Sequence, residues 1–171
     1  MNRISRLSLA CVVLGGSLAG SAYADPVTIN ITGNVLAAPC VVDGTGSINV
    51  DLGDIPAPDL AAADSSSPWK AFNLTVKSCP AGTSKVTATF SGTPDVDGPK
   101  WRYLNTGTAT GVGVELARNT AINLPNGTGW EVTVDSTRSA TWPMRTRMVA
   151  MKGNAIPGTV KAVVVVSLTY Q

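Results

Sequence analysis

The sequence is divided into short runs rich in Val, Thr and aromatic residues, and Gly and Pro separate one run from the next. Each run has the length of a β-strand, and none sustains the 3.6-residue period of an amphipathic helix. Many short strands with turn residues between them are typical of an antiparallel β-sandwich, so we expect an all-β fold. A short helical turn fits residues 60–63, although segment 56–69 is better interpreted as a loop between sheets. The runs are SINVDLG (47–53), AFNLTVKSC (71–79), KVTATFSG (85–92), GVGVELA (111–117), WEVTV (130–134), ATWPMRTRMVAM (140–151) and TVKAVVVVSLTY (159–170).

The first 24 residues have the layout of a secretory signal peptide. Arg3 and Arg6 form a positive n-region, an apolar stretch follows at residues 7–18, and Ala-Tyr-Ala fits the small-x-small cleavage site. We therefore predict cleavage between Ala24 and Asp25. A membrane anchor is the alternative, but glycines and a serine interrupt the stretch, which is short for a bilayer.

The mature chain is one domain long and electrically neutral. Removing 24 of the 171 residues leaves 147, enough for one domain with its own core. Of the 13 basic residues, Arg3 and Arg6 lie in the signal, so 11 remain against 11 acidic residues. This balance gives no support for electrostatic binding to nucleic acid or to an anionic membrane.

The residues needed for most enzyme mechanisms are missing. The chain has no histidine, which disfavours the usual acid–base and nucleophilic arrangements and leaves too few ligands for a zinc site. Two carboxylate pairs, Asp51 with Asp54 and Asp95 with Asp97, lie in turn-like segments where Asp is favoured for backbone reasons. We expect no enzyme activity, no cofactor, no metal and no small-molecule substrate.

Two cysteines remain after cleavage, Cys40 and Cys79. An even pair in a chain sent to an oxidising compartment predicts a disulfide between them. Two free buried thiols are the alternative reading.

Both ends of the mature chain have the pattern of one-sided strands. In the opening segment apolar residues or glycine alternate with Thr and Asn, and in the closing segment the even positions are apolar. In an ordinary sandwich both would be core strands, and the glycine would mark a β-bulge. The alternating residues are Val27, Ile29, Ile31, Gly33 and Val35 at the start, and Val160, Ala162, Val164, Val166, Leu168 and Tyr170 at the end.

Several of these features together resemble the chaperone-usher pilins, and within them the minor tip subunits of type 1 fimbriae. The resemblance covers essentially the whole chain. It is carried by the signal peptide, the alternating extension with Gly33, the AAPC motif ending at Cys40, the segment CPAGTSKVTATFSG from Cys79, and Gly158 fourteenth from the end with Tyr170 penultimate.

This resemblance implies an incomplete immunoglobulin-like β-sandwich that lacks its last strand, and an assembly route called donor-strand complementation. Residues 25–36 would be an N-terminal donor-strand extension and residues 37–171 the pilin domain. The extension would enter a neighbouring subunit's core through Val27, Ile29, Ile31, Gly33 and Val35.

The resemblance also implies an acceptor groove beside the C-terminal strand. A periplasmic pilus chaperone would fill this groove first, and at the outer-membrane usher the extension of another subunit would replace the chaperone's strand. The implied partners are the chaperone, the usher and adjacent fimbrial subunits including a tip adhesin, with the chain exported through the periplasm to the cell-surface fimbrium. The implied acceptor and chaperone-binding residues are Gly158, Val160, Val164, Val166, Leu168, Tyr170 and Gln171.

The resemblance implies that the chain is a structural adaptor-type minor subunit of an adhesive fimbria. Two other functions fit the same pattern, and the first is a major rod pilin, which has the same features. A single-domain glycan-binding adhesin is the third reading, because aromatic residues can stack on sugars. Scattered aromatic residues in a sandwich are more often part of the core. The candidates are Trp101, Tyr103, Trp130 and Trp142.

Overall fold

A computed structural model of the chain describes residues 27–35, 38–96 and 98–171. The predicted signal peptide, its cleavage site at Ala24 and Asp25, and the predicted boundary between residues 36 and 37 lie outside the described residues. The chain divides into two units, residues 1–34 and 35–171. In the first unit, residues 27–34 have no regular secondary structure, and the side chains of Val27, Ile29 and Ile31 are exposed.

Residues 38–96 and 98–171 form eight strands and one turn of 3-10 helix. The strands are β1 (Val41–Val42), β2 (Lys70–Lys77), β3 (Lys85–Gly92), β4 (Arg102–Leu104), β5 (Val112–Arg118), β6 (Thr128–Thr133), β7 (Ala140–Ala150) and β8 (Val164–Tyr170), and the 3-10 turn spans Ala57–Leu60. One sheet has the order β1-β2-β7-β5-β4, and the other has the order β6-β3-β8. Every pairing is antiparallel, so the predicted all-β sandwich is confirmed.

The core lies between the two sheets and follows the period-2 alternation of the strands. In β3, Val86, Ala88 and Phe90 are fully buried, while the residues between them face outward. Trp142, on strand β7 of the opposite sheet, is also fully buried. Its Nε1 donates a hydrogen bond to the Trp130 carbonyl at 2.9 Å. Burial of so large an apolar ring makes a major contribution to the sandwich.

A disulfide joins Cys40 and Cys79, as the even cysteine pair predicts. Cys40 immediately precedes β1 and Cys79 follows β2, the strand with which β1 pairs. Both residues are buried in the core. The bond therefore fixes the start of the domain to the first long strand.

Three details of the strand prediction are wrong or incomplete. Residues 47–53 form no strand, since no strand of the described chain is hydrogen-bonded to them. Strands β1 and β4 are too short to show an alternating pattern, and the sequence did not predict them. The expected helical turn is a 3-10 turn that lies three residues earlier, at Ala57–Leu60.

Candidate functional site

Strand β8 has a partner on only one of its two edges. It pairs with β3 over its whole length, from Val86 opposite Tyr170 to Gly92 opposite Val164. On the other edge no strand of the described chain is hydrogen-bonded to it. The sandwich is therefore open beside its last strand.

The free edge exposes the backbone groups of alternate residues. In an antiparallel ladder, residues that exchange two hydrogen bonds alternate with residues that exchange none. Lys85 and Gln171 exchange two, so the odd-numbered residues of β8 direct their N–H and C=O groups toward β3. The even-numbered residues, from Val164 to Tyr170, direct theirs toward the open edge.

The side chains of those same even-numbered residues face the core but are only partly covered. Val164, Val166, Leu168 and Tyr170 pack against the core cluster as half-buried residues. Val165 lies on the outer face with 59% of its surface exposed. The predicted parity of this strand is thus confirmed, and its inward side chains lack the cover that fully buries the neighbouring β3.

A groove of about 1020 Å³ runs along the open side of β8. One wall is formed by residues 157–166 with Leu168, and the other by the irregular segment 46–55. Core side chains such as Phe72, Leu74 and Phe90 form its floor. The lining is more apolar than polar, as expected for a site that receives the apolar face of a peptide segment.

The structure brings most of the predicted acceptor residues into this groove. Gly158, Val160, Val164, Val166 and Leu168 line it. Tyr170 and Gln171 do not, and instead line a separate cavity of about 430 Å³ with residues 80–83. Segment 46–55 and Ala162 were not among the predicted residues, although Ala162 follows the same even parity.

Gly158 is required for close packing of two backbone segments. An added Cβ at this position would lie 2.6 Å from the carbonyl carbon of Thr108 and 2.7 Å from its Oγ1. Real Cβ atoms are essentially never so close to another backbone, so a larger residue would push the two segments apart. The glycine that carries part of the family resemblance thus allows residues 158–159 to lie directly against residues 107–109.

The C-terminal residue is held within the chain. The carbonyl oxygen of Gln171 accepts hydrogen bonds from the backbone nitrogens of Ser84 at 2.6 Å and Lys85 at 3.1 Å. Its own nitrogen donates to the Lys85 carbonyl. These bonds fix the direction in which the end of β8 leaves the sheet.

Of the aromatic residues considered for sugar stacking, two belong to the core. Tyr103 and Trp142 are almost completely buried, and the Tyr103 hydroxyl donates to the Leu124 carbonyl at 2.8 Å. Burial raises the pKa of Tyr103 to about 12. Trp130 is partly buried against the core with the Arg118 guanidinium 4.5 Å from its ring centre, and Trp101 is partly exposed under Arg102.

The carboxylates considered for catalysis have structural surroundings. Asp51 accepts the backbone N–H of Gly53 at 2.9 Å, which is a turn contact. Asp95 is buried beside Gly113, and Asp97 lies outside the described residues. Within residues 27–35, 38–96 and 98–171, no three His, Cys, Asp or Glu side chains are placed to hold a metal ion.

Comparisons with known proteins agree with this geometry. Residues 29–171 match the family described as fimbrial protein. The chain is 40% identical to the protein FimG of Escherichia coli strain K12 over 145 residues, which is 84% of each chain. It is 36% identical to the S-fimbrial adhesin protein SfaS of Escherichia coli O6:K15:H31 over 169 residues, covering 96% of this chain and 99% of SfaS.

The fold is that of solved pilus subunits. The P pilus rod subunit PapA superposes with a TM-score of 0.64 at 18% identity, over 78% of this chain and all of PapA. The open edge of β8 and this likeness identify the incomplete immunoglobulin-like sandwich of chaperone-usher pilins. Among the residues that the structure describes, no helix is long and apolar enough to span a bilayer. The chain belongs to the fimbrial protein family, as a chaperone-usher type subunit that is exported to the cell-surface fimbrium.

Proposed function

We propose that this chain is an adaptor-type minor subunit that polymerises by donor-strand exchange. Its groove accepts first a strand of a periplasmic chaperone and then, at the outer-membrane usher, the extension of the following subunit. Its own residues 25–36 fill the groove of the preceding subunit, toward a tip adhesin. The observation that carries the proposal is the free edge of β8, where unpaired backbone groups and half-covered apolar side chains belong to the same residues.

The opening segment supports the donor half of the proposal. Val27, Ile29 and Ile31 are exposed by 85, 78 and 90%, and a row of such side chains on one face is unfavourable in water unless it is buried in a partner. Each would contribute about 1.5 to 3 kcal/mol on full burial. Within residues 27–34, an added Cβ at Gly33 would meet nothing within 4 Å, so the segment itself does not require the glycine. We therefore expect a glycine to be needed at position 33 only when the segment lies in the groove of the preceding subunit.

Strand exchange with the chaperone-bound subunit tests the donor half directly. Ile31→Asp places a charge on the inward face of the extension, and Asn30→Asp places the same charge on the outward face as a matched control. We expect Ile31→Asp to abolish attachment to the preceding subunit, because the carboxylate would be buried without a partner. Asn30→Asp should attach normally, and both variants should fold and bind the chaperone. If Ile31→Asp unfolds its own chain, the segment is an internal core strand and the proposal fails.

Counting copies distinguishes the adaptor from a rod pilin. An adaptor should be present at about the same number of copies per fibre as the tip adhesin, and immunogold labelling should mark one end. Labelling along the whole shaft would assign the chain to the rod instead.

A further inference from the structure

We infer that Thr108 and Thr159 are positioning residues for strand acceptance. They hold residues 160–162 in line with β8, so that the free edge continues beyond the first residue of that strand. The inference rests on the proposed function and adds to it a device that sets the usable length of the groove.

The two threonines bind each other reciprocally. The Thr159 backbone nitrogen donates to Thr108 Oγ1 at 2.9 Å, and the Thr108 backbone nitrogen donates to Thr159 Oγ1 at 3.0 Å. The Ala109 nitrogen also donates to the Thr159 carbonyl at 3.0 Å. We call the reciprocal pair the threonine clamp. It fixes the position and the direction of the chain at residue 159.

The same loop binds the next odd-numbered residue. The Lys161 nitrogen donates to Asn105 Oδ1 at 2.8 Å, and the Lys161 carbonyl accepts the Thr106 nitrogen at 2.8 Å. Residues 105–109 thus hydrogen-bond the backbone of Thr159 and Lys161, in the same way that β3 hydrogen-bonds the odd-numbered residues of β8. By the same alternation, Val160 and Ala162 direct their backbone groups toward the open edge.

The loop is needed because β3 ends too early. The last β3–β8 pair is Gly92 with Val164, and no described strand continues the ladder beyond it. Val160 and Ala162 nevertheless line the groove and pack as half-buried residues against the core. Apart from the hydrogen bonds of Lys161 to residues 105–106, only the clamp and the adjoining Ala109–Thr159 bond hold this stretch of the described backbone in register with β8.

Two glycines allow the clamp to close. An added Cβ at Gly107 would lie 2.6 Å from the carbonyl carbon of Thr159, and one at Gly158 would lie 2.6 Å from that of Thr108. The threonines themselves are exposed and contribute little to core burial. Their hydrogen bonds therefore act on the placement of the groove edge more than on the stability of the core.

The test uses the mature chain with a donor segment appended after Gln171 through a flexible linker. Because the linker starts at the C-terminal end of β8, the donor runs antiparallel to that strand. The linker length is chosen so that Val27 pairs with Tyr170. In this register, a donor of residues 27–33 ends opposite Val164, and a donor of residues 27–35 places Val35 opposite Ala162. Only the longer donor uses the edge that the clamp positions.

Urea midpoints are measured for both donors in the wild type and in Thr108→Val/Thr159→Val. In the wild type the longer donor should give the higher midpoint. In the double variant this difference should vanish, while the shorter donor should keep its wild-type midpoint. Thr133→Val, on the opposite edge strand β6, is the matched control and should retain the difference. Thr108→Ser/Thr159→Ser keeps both hydroxyls and should restore it.

The remaining outcomes contradict the inference. Equal losses of midpoint for both donors in the double variant would mean that the threonines only stabilise the fold. A difference that persists in the double variant would show that residues 160–162 need no clamp. If neither donor stabilises the wild type over the chain without a donor, the proposed function fails and the inference fails with it. If the valine variants do not fold, the serine variant decides the test. Equal urea midpoints for the two donors in Thr108→Ser/Thr159→Ser would overturn the inference.

Discussion

Lys85 and Gln171 are joined by two backbone hydrogen bonds. The Gln171 nitrogen donates to the Lys85 carbonyl oxygen at 3.0 Å, and the Lys85 nitrogen donates to the Gln171 carbonyl oxygen at 3.1 Å. This pair fixes which residues of β8 are bonded to β3 and which are left for a partner. The inward-facing side chains belong to the residues that are left. In the proposed function, an incoming strand would therefore satisfy backbone pairing and apolar burial at the same four positions, Val164, Val166, Leu168 and Tyr170.

The two faces of β8 should respond differently to a charge. Val166→Asp would place a carboxylate under the incoming strand, and we expect it to weaken the filled groove by about 3 kcal/mol or more. Val165→Asp lies on the exposed outer face and should change stability by no more than about 0.5 kcal/mol. Pull-down by the chaperone, followed by urea unfolding of the captured complex, measures both. Equal effects of the two variants would contradict the assigned parity.

Loss of the disulfide should destabilise the domain strongly. The bond joins residues 39 positions apart, and in the chain-entropy model closing such a loop is worth about 4 kcal/mol. Cys40→Ser/Cys79→Ser should therefore lower the free energy of unfolding by about this amount in a chain with a filled groove. Reduced wild-type protein serves as the control and should behave like the double variant. Unchanged stability, or two alkylatable thiols in the exported protein, would contradict the account.

Tyr103 should make the fold sensitive to alkali. Its pKa is raised to about 12 by burial, against an ordinary value of 10.0. The unfolded chain therefore loses this proton first, so the contribution to stability is complete below pH 10 and is lost as the pH rises through 12. Tyr103→Phe loses the hydrogen bond to Leu124, at a cost of about 1 kcal/mol, but should show a smaller further loss between pH 10 and 12.

Unfolding curves at several alkaline pH values measure this effect. Burial also raises the pKa of Tyr170, so the Tyr103→Phe variant serves to separate the two phenols. The same decline with pH in the variant as in the wild type would assign the alkaline loss to another group.

The sequence predicted burial better than it predicted pairing. The alternation in residues 160–170 identified the inward face of β8 correctly, because side-chain parity is a local property of an extended chain. The alternation in residues 47–53 is equally clear, and Leu52 does pack on the core, yet no strand forms there. A strand also needs a neighbour, and apolar spacing carries no information about whether a neighbour is present.

Contacts between residues far apart in the sequence account for two further features that the sequence analysis did not predict. Glu115 of β5 is buried, and a hydrogen bond from the Arg147 Nε to its Oε2 at 2.8 Å offsets the cost of burying the carboxylate. The threonine clamp joins residues 51 positions apart. Both depend on which segments the fold brings together, and a short run of sequence does not record this.

Amide hydrogen exchange along β8 tests the central claim most directly. In the chaperone-bound chain, we expect the amides of residues 164–170 to be protected at both odd and even positions. After release from the chaperone, the odd-numbered amides should stay protected by β3, while the even-numbered amides of Val164, Val166, Leu168 and Tyr170 should exchange rapidly. Slow exchange at these four amides in the released chain would mean that β8 already has a second partner, and would contradict an incomplete sandwich that another strand completes.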